Sequence, residues 1–454
     1  MGAAGLALTL VVGAAITKRL WPLVEPARSV PLLPPWPWQQ PPIQPALEGI
    51  PLHQLTPGWQ VASLGNPATW RYRSCWQSLP RTPWALTLFE GQLYLGLGNA
   101  SNEGPTANSG PVPLLSYSLA TGRWQQQASL PEEEISRFIA HGRELWIPGA
   151  DARGSWRWGN LYRREAGSRL WWQQRRLPHF IHGHDLAWHQ GQLVIAGNVP
   201  DAVSTGPQSE RHGSALATSS DSGQHWQVQR LQGWRATTLL QVNGQLFALE
   251  ALPGRGLQQW LDQNGRARGF ASVHQWQADG PWQARRDISR SALLPAVPGA
   301  EQRFAWIERA TPAGQAVAWI ASLGGWRRDP PRREAFVAQR LRPGDILVEH
   351  LPLKTGELAM DLQATGAGWL LLSSRKLDAT HWASRITEAQ IRPQGIHHQP
   401  VLSFQAPLPA WSLAGDRRQL FVGLGHPPFQ SEQSLGRCHA ADRFSGTVLK
   451  LQRL

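Results

Sequence analysis

Along most of the chain, apolar and polar positions alternate in short runs, and the runs restart at tight-turn glycines. The clearest copies are GQLYLGLGN (91–99), GRELWIPGAD (142–151), GQLVIAGN (191–198), GQLFALE (244–250) and RQLFVGLGH (418–426). Weaker copies are GQAVAWIA (314–321) and GAGWLLLS (366–373). Glycine makes the turn, and the alternating residues behind it make a buried strand. A second series interleaves with these seven runs. It often opens on Trp and closes on Leu-Pro or an equivalent: Leu79-Pro80, Leu130-Pro131, Leu177-Pro178, Leu231, Ile288, Leu351-Pro352 and Leu408-Pro409. Proline suits a strand end because it cannot donate to a ladder. This second series recurs every 47 to 63 residues, the size of a four-stranded propeller blade with variable loops.

The pattern predicts an all-β fold, a seven-bladed β-propeller over residues 57–454. The two series are out of phase. A first outer strand, placed at Trp70–Leu79, precedes any complete blade, and the last blade, ending in GTVLKLQRL (446–454), runs out of chain before its own outer strand. Lending the N-terminal strand to the C-terminal blade closes the ring and removes an open edge. The two cysteines fit that closure. Cys75 falls in the lent strand and Cys438 in the long loop of the last blade, so a disulfide between them is expected if the first and last segments meet.

SSDSGQHW (219–226) fits Ser-x-Asp-x-Gly-x-x-Trp. It resembles the Asp-box of sialidases and of many non-catalytic β-propellers. The resemblance implies a hairpin clasp of Ser219, Asp221, Gly223 and Trp226 at the short turn between third and outer strands. There the carboxylate accepts backbone N–H groups and glycine supplies positive φ. YSLATGRW (117–124) and YRREAGSRLW (162–171) keep the Gly and Trp and lose the Asp. Sialidase chemistry needs three arginines, a Tyr/Glu pair and a Phe/Tyr-Arg-Ile-Pro motif. That tetrapeptide is missing from this chain and its four tyrosines all fall in strand patterns, so no catalytic residue carries over. Short turns and long loops alternate, which puts the clasp on the face opposite the long loops.

The long-loop face holds the candidate chemistry. Asn99, Asp151, Asn198 and His426 each follow a second strand after a small residue, so equivalent blades would ring them around the channel mouth. Glu103 falls in the first long loop, and Arg153, Trp156 and Arg157 fall in the second, ARGSWRWGN (152–160). An Arg between aromatics suits stacking on a sugar or an anionic ring. PHFIHGHDLAW (178–188) brings His182, His184 and Asp185 to the same face. Such a cluster suits acid/base or metal chemistry, or simply a carboxylate orienting one His in a polar loop; no metal is assigned to it. No phosphate loop, nucleophile elbow or Cys-pair metal motif occurs, and no cofactor is expected.

Charge and the N-terminus narrow the partners. The chain carries +13, and only four of its 44 basic residues are Lys. An acidic partner is permitted, but no Lys/Arg run exceeds two, which argues against a nucleic-acid groove. Met1–Ile16 is apolar or small and is followed by Lys18 and Arg19. Residues 1–20 therefore read as a signal peptide or membrane anchor, 21–56 as a Pro-rich linker, and the chain as an extracytoplasmic monomer. The favoured function is a non-catalytic propeller binding a glycan or protein through the long-loop face. The alternatives are a glycoside hydrolase pairing Asp151 with Glu103, or a lyase using the histidines. A third is an assembly factor beside a membrane complex, as some Asp-box propellers are.

Overall fold

The computed structural model describes residues 27–35, 50–100, 106, 108–153, 156–200, 212–231, 235–251, 273–277, 282–300, 305–323, 332–366, 368–426 and 438–454. Glu103 and the N-terminal apolar run lie outside them. Seven antiparallel sheets follow one another as the blades of a β-propeller. Blades 1 to 6 span 85–130, 139–178, 182–230, 235–284, 305–351 and 358–406. Blade 7 takes three strands from 410–453 and its outer strand from Trp59–Gly65. No helix among the described residues is long and apolar enough to cross a membrane.

The recurrent Gly-Gln-Leu signal is a two-residue turn. Glu90-Gly91, Gln190-Gly191 and Asn243-Gly244 all have positive φ at both positions, the backbone of type I′ hairpins that match the twist of their strands. Nothing lies within 4 Å of a Cβ built on Gly91, Gly191 or Gly244. Backbone conformation, and not crowding, selects glycine there. The apolar positions behind these turns fill the interfaces between blades. Leu193, Ile195 and Ala217 of blade 3, for example, pack on Trp146, Leu161 and Leu177 of blade 2.

Ring closure by an N-terminal strand stands, but the strand is not the expected one. Trp59–Gly65 pairs antiparallel with Val448–Arg453, with Trp59 opposite Arg453 and Val61 opposite Leu451. The segment expected to be that strand, Trp70–Leu79, is instead an irregular connection with a short 3-10 turn at Cys75–Gln77. The Leu-Pro at its end misled the reading, because it marks arrival at the long-loop face whether or not a strand precedes it. Cys75 and Cys438 are joined in a disulfide with Cα atoms 5.4 Å apart. In chain-entropy terms closing a loop across a separation of 363 residues is worth roughly 6 kcal/mol.

The region read as a linker is also partly built into the fold. Arg28–Leu32 adds a fifth strand to the outer edge of blade 2. Further on, His53 and Thr56 bond the backbone of the outermost strand of blade 6 at Gln405 and Ser403.

Candidate functional site

Chain direction places the faces. First strands descend from the long-loop face and second strands return to it, so second-strand ends and blade-to-blade connections share that face. The turn at 220–226, between His212–Ser219 and Gln227–Arg230, lies on the other. There Asp221 Oδ1 accepts the N–H groups of Gln224 at 3.1 Å and His225 at 2.9 Å and the Ser219 hydroxyl at 2.8 Å. Gly223 has φ +84° and donates its N–H to Ser219 Oγ. Trp226 Nε1 donates to the Gly223 carbonyl, and its ring packs on the cluster between blades 2 and 3. The His225 N–H, the His225 imidazole 2.6 Å from Asp221 Oδ2 and the Ser219 hydroxyl hold the Asp221 carboxyl well below the usual range.

On the long-loop face the second-strand ends of blades 1 to 3 are laced together. Asn99 donates its N–H to the Glu133 carbonyl, Glu133 donates to Ala150, and Asp151 donates to Ile181. Asp151 has φ +64°, a conformation that aspartate tolerates. Its Oδ1 accepts Trp156 Nε1–H at 3.1 Å, and its Oδ2 lies 3.7 Å from His182 Nε2. His182 Nδ1 is 2.9 Å from Asn198 Oδ1. The His182 and His184 rings stack at 5.5 Å, and His184 meets Trp306 edge-on, also at 5.5 Å. Arg235 lies over that Trp306 ring at 5.8 Å. Asp151, His182, His184 and Asn198 are thus drawn together, with Arg235 and Trp306 added from the first strands of blades 4 and 5.

The other expected residues have different surroundings. Asn99 ties its own loop by donating Nδ2–H to the Thr106 carbonyl. Trp156, Arg153 and Arg157 are exposed on the rim. His426 is buried at the junction of blades 7 and 1, with Nε2 2.8 Å from Asp442 Oδ1 and its N–H on Thr82. Asp185 faces inward. Its oxygens accept the N–H groups of Leu186 and of Leu239 in the next blade, at 2.8 and 2.9 Å, and Arg137 Nε is 3.1 Å away. Asp361 repeats this on Leu362 and Leu413, with Arg309 at 3.4 Å. In both cases the Asp follows a register shift in the first strand, which turns the carboxylate toward the neighbouring blade.

Arg137 and Arg309 also cross the channel. Arg137, entering blade 2, donates to the Ala310 carbonyl of blade 5, and Arg309 of blade 5 donates to the Trp84 carbonyl beside blade 1. Arg309 holds φ +59° to do so. The mouth therefore opens into a channel braced by two arginines.

Sequence reasoning missed these arginines, Arg235, Trp306 and the run Glu132–Glu134. The run was visible in principle, because three successive carboxylates follow Leu130-Pro131 in a connection on the same face. Glu132 accepts Tyr162 Oη–H at 2.6 Å and an Asn160 amide N–H, yet burial pushes it up to about 7. Burial, followed by the charge of Asp151, pushes Glu133 to about 8, and burial pushes Glu134 to about 7. Burial raises Asp151 too, against the pull of Trp156 and Arg235. Among the described residues no group of three His, Cys, Asp or Glu side chains could hold a metal ion. A cleft of about 450 Å³ does lie between the short turns of blades 4 to 6. Its Gln339 and Arg340 are committed to Glu349 and Asp345, so it offers less chemistry than the mouth.

No protein-family model and no curated protein sequence matches the chain. Among solved structures it is similar to a chain of a mitotic checkpoint complex, at 11% identity and TM-score 0.42, covering 82% of this chain and 89% of that one. It is also similar to the Bombyx mori GH32 beta-fructofuranosidase, at 10% identity and TM-score 0.32, covering 82% and 90%. A third is Kuenenia stuttgartiensis hydrazine synthase, at 9% identity and TM-score 0.41, covering 76% and 93%.

Proposed function

We propose that the protein is an exported, non-catalytic β-propeller that binds a carboxylate-bearing glycan at the mouth formed by blades 2 to 5. The observation that carries this is the run of ring contacts through His182, His184, Trp306 and Arg235 beside Asp151 and the exposed Trp156. Aromatic faces receive the apolar face of a sugar ring, and a guanidinium receives a carboxylate in two parallel hydrogen bonds. The nearby carboxylates favour recognition over reaction: Glu132 is held by Tyr162 and Asn160, and Asp185 by backbone. The Cys75–Cys438 disulfide supports an oxidising compartment. The hairpin at 219–226 is of Asp-box type on this reading, and it serves the fold from the far face.

Titration calorimetry with uronate-containing and neutral oligosaccharides tests the proposal. The acidic sugars should bind, and Trp156→Ala should weaken them about tenfold, as the loss of one aromatic anchor does. Equal affinity for neutral sugars, or no binding of either, removes the reading. One observation favours a second reading: Glu133, raised to about 8 by burial and Asp151, would be a protonated acid beside a carboxylate, as glycoside hydrolysis requires. Release of reducing ends during the same titrations would select it.

A further inference from the structure

We infer that Glu132 is a proton-operated switch beneath the mouth: neutral, its carboxyl holds the connection between blades 1 and 2 in place, and ionised, it releases that connection. Glu132 is 1% exposed. One oxygen, Oε1, accepts Tyr162 Oη–H at 2.6 Å and an Asn160 amide N–H. The other, Oε2, is buried and has no hydrogen-bond partner. A neutral carboxyl tolerates that seat far better than a carboxylate does, because a buried charge needs every oxygen solvated or paired.

The groups facing the carboxyl set the direction of the switch. Tyr162 and Asn160 approach from the third strand of blade 2, Trp158–Glu165, and both favour the charged form. Arg175, on the outer strand Trp171–Pro178, favours it too, but across Asn160, whose Oδ1 accepts the Arg175 Nη1–H at 3.2 Å. Asp151, beyond the second strand, favours the neutral form. Glu133 lies beside it in the connection, pushed up to about 8 by burial and Asp151 against the pull of Arg153. From blade 1, Gly110 packs on the Glu132 backbone and brings no charge; a Cβ built on it would lie 2.0 Å from the Glu132 carbonyl oxygen. Burial outweighs the donors and pushes the carboxyl up to about 7. The change of charge therefore falls near neutral pH.

The connection is tied to the mouth on both sides. Glu133 donates its N–H to the Ala150 carbonyl at 3.2 Å, and its own carbonyl accepts the Asn99 N–H at 2.9 Å. Asp151 follows Ala150 and accepts Trp156 Nε1–H. Gly149 lies against the carboxyl itself, since a Cβ there would sit 3.2 Å from Glu132 Oε1. A shift of Glu132 that brings Oε2 to water therefore moves Glu133, and through it Asn99 and Asp151. On the reading of the mouth as an acidic-glycan site, on which this last step rests, ionisation adds a negative charge beneath Asp151 and loosens the seat. The ligand is then held below the midpoint and released above it.

The test is an NMR titration of the full chain between about pH 5.5 and 8.5, a range that spans the midpoint, with isotope-labelled glutamate carboxyls and backbone amides. The Glu132 carboxyl should titrate near 7, and the Glu133 and Asp151 amides should shift with the same midpoint. Tyr162→Phe removes a donor to the charged form. It should raise that midpoint by about one pH unit in the carboxyl and the amides together, leaving the Glu134 carboxyl where it was. Glu132→Gln should remove the component from the Asp151 amide. A Glu132 carboxyl in one charge state throughout, or amides that ignore the Tyr162→Phe shift, would overturn the switch. Uronate affinity should fall about fivefold between about pH 6 and 8, the low end of coupling between sites, and Tyr162→Phe should move that fall upward. Equal affinity at both pH values would overturn the release step. If uronates do not bind at all, the glycan reading fails, and the titration of the free protein still decides the switch.

Discussion

Asp221 and Asp185 each accept two backbone N–H groups, and there the likeness ends. The partners of Asp221 are Gln224 and His225, within four residues on an exposed hairpin whose carboxylate side chain is 40% accessible. Asp185 takes one partner next door and the other, Leu239, from the following blade, and its side chain is 2% accessible. The His225 N–H and imidazole and the Ser219 hydroxyl together lower the Asp221 carboxyl, whereas two backbone bonds fail to lower that of Asp185. Asp185 stays raised by burial even with Arg137 beside it. Desolvation outweighs hydrogen bonds and a paired charge once water is excluded. The pair also shows which contacts hold a blade to itself and which hold the ring together.

The same substitution at both sites makes that difference measurable. Asp185→Ala leaves the Leu186 and Leu239 N–H groups unpaired in the core and strands the Arg137 guanidinium in the channel. Breaking a buried pair in this way costs about 3–5 kcal/mol, read as a fall in the urea midpoint at unchanged slope. A loss below about 1 kcal/mol, the range of surface substitutions, would mean that backbone pairing alone joins blades 3 and 4.

A middle-sized effect separates the two faces by pH. Glu133 titrates near 8 in the folded protein against 4.5 for a free side chain, so between those values the folded state holds more protons than the unfolded one. Stability contributed by the protonated carboxyl is therefore complete below about pH 4.5 and is lost as pH rises through 8. For this residue alone the change between pH 5 and 8 is on the order of 3 kcal/mol. Glu133→Gln should flatten the decline and gain stability mainly at pH 8. Urea midpoints at the two pH values report it, and an unchanged slope would mean that water reaches this carboxyl.

How far each region could be foreseen follows from the distances along the chain. The blades were legible because a type I′ turn and the alternation behind it are local. Gln190-Gly191 announces its hairpin within ten residues. The hairpin at 219–226 was legible for the same reason. Closure was legible as a deficit of one strand, but the choice of Trp59–Gly65 over Trp70–Leu79 depends on pairing with Val448–Arg453, which neither segment encodes alone. That Asp151, His182, His184 and Asn198 lie together was legible because equivalent strand ends must share a face. Arg235 and Trp306 were not, because their meeting with His184 is set by three different blades. Asp185 looked like part of a binding loop because the register shift at Gly183 that turns it inward has no signature in HGHD.

The smallest expected effect completes the comparison. Asp221→Ala also removes the acceptor of two backbone N–H groups, but those of Gln224 and His225 are exposed and turn to water. The cost should fall to about 1 kcal/mol, the net worth of an ordinary hydrogen bond. The hairpin keeps the Gly223 N–H to Ser219 Oγ bond and the Trp226 Nε1–H to Gly223 carbonyl bond, so its turn geometry survives. In a protein of this size such a loss moves the melting temperature by no more than about 3 °C. Acidic-glycan affinity should be untouched, because this hairpin and the Asp151 mouth occupy opposite faces. If Asp221→Ala abolished binding while leaving the melting temperature alone, the ligand would sit on the short-turn face and the mouth would serve only the fold. If it cost as much as Asp185→Ala, exposure would not be what separates the two aspartates, and the hairpin would owe its weight to the seat of Gly223 against Gln174 of blade 2.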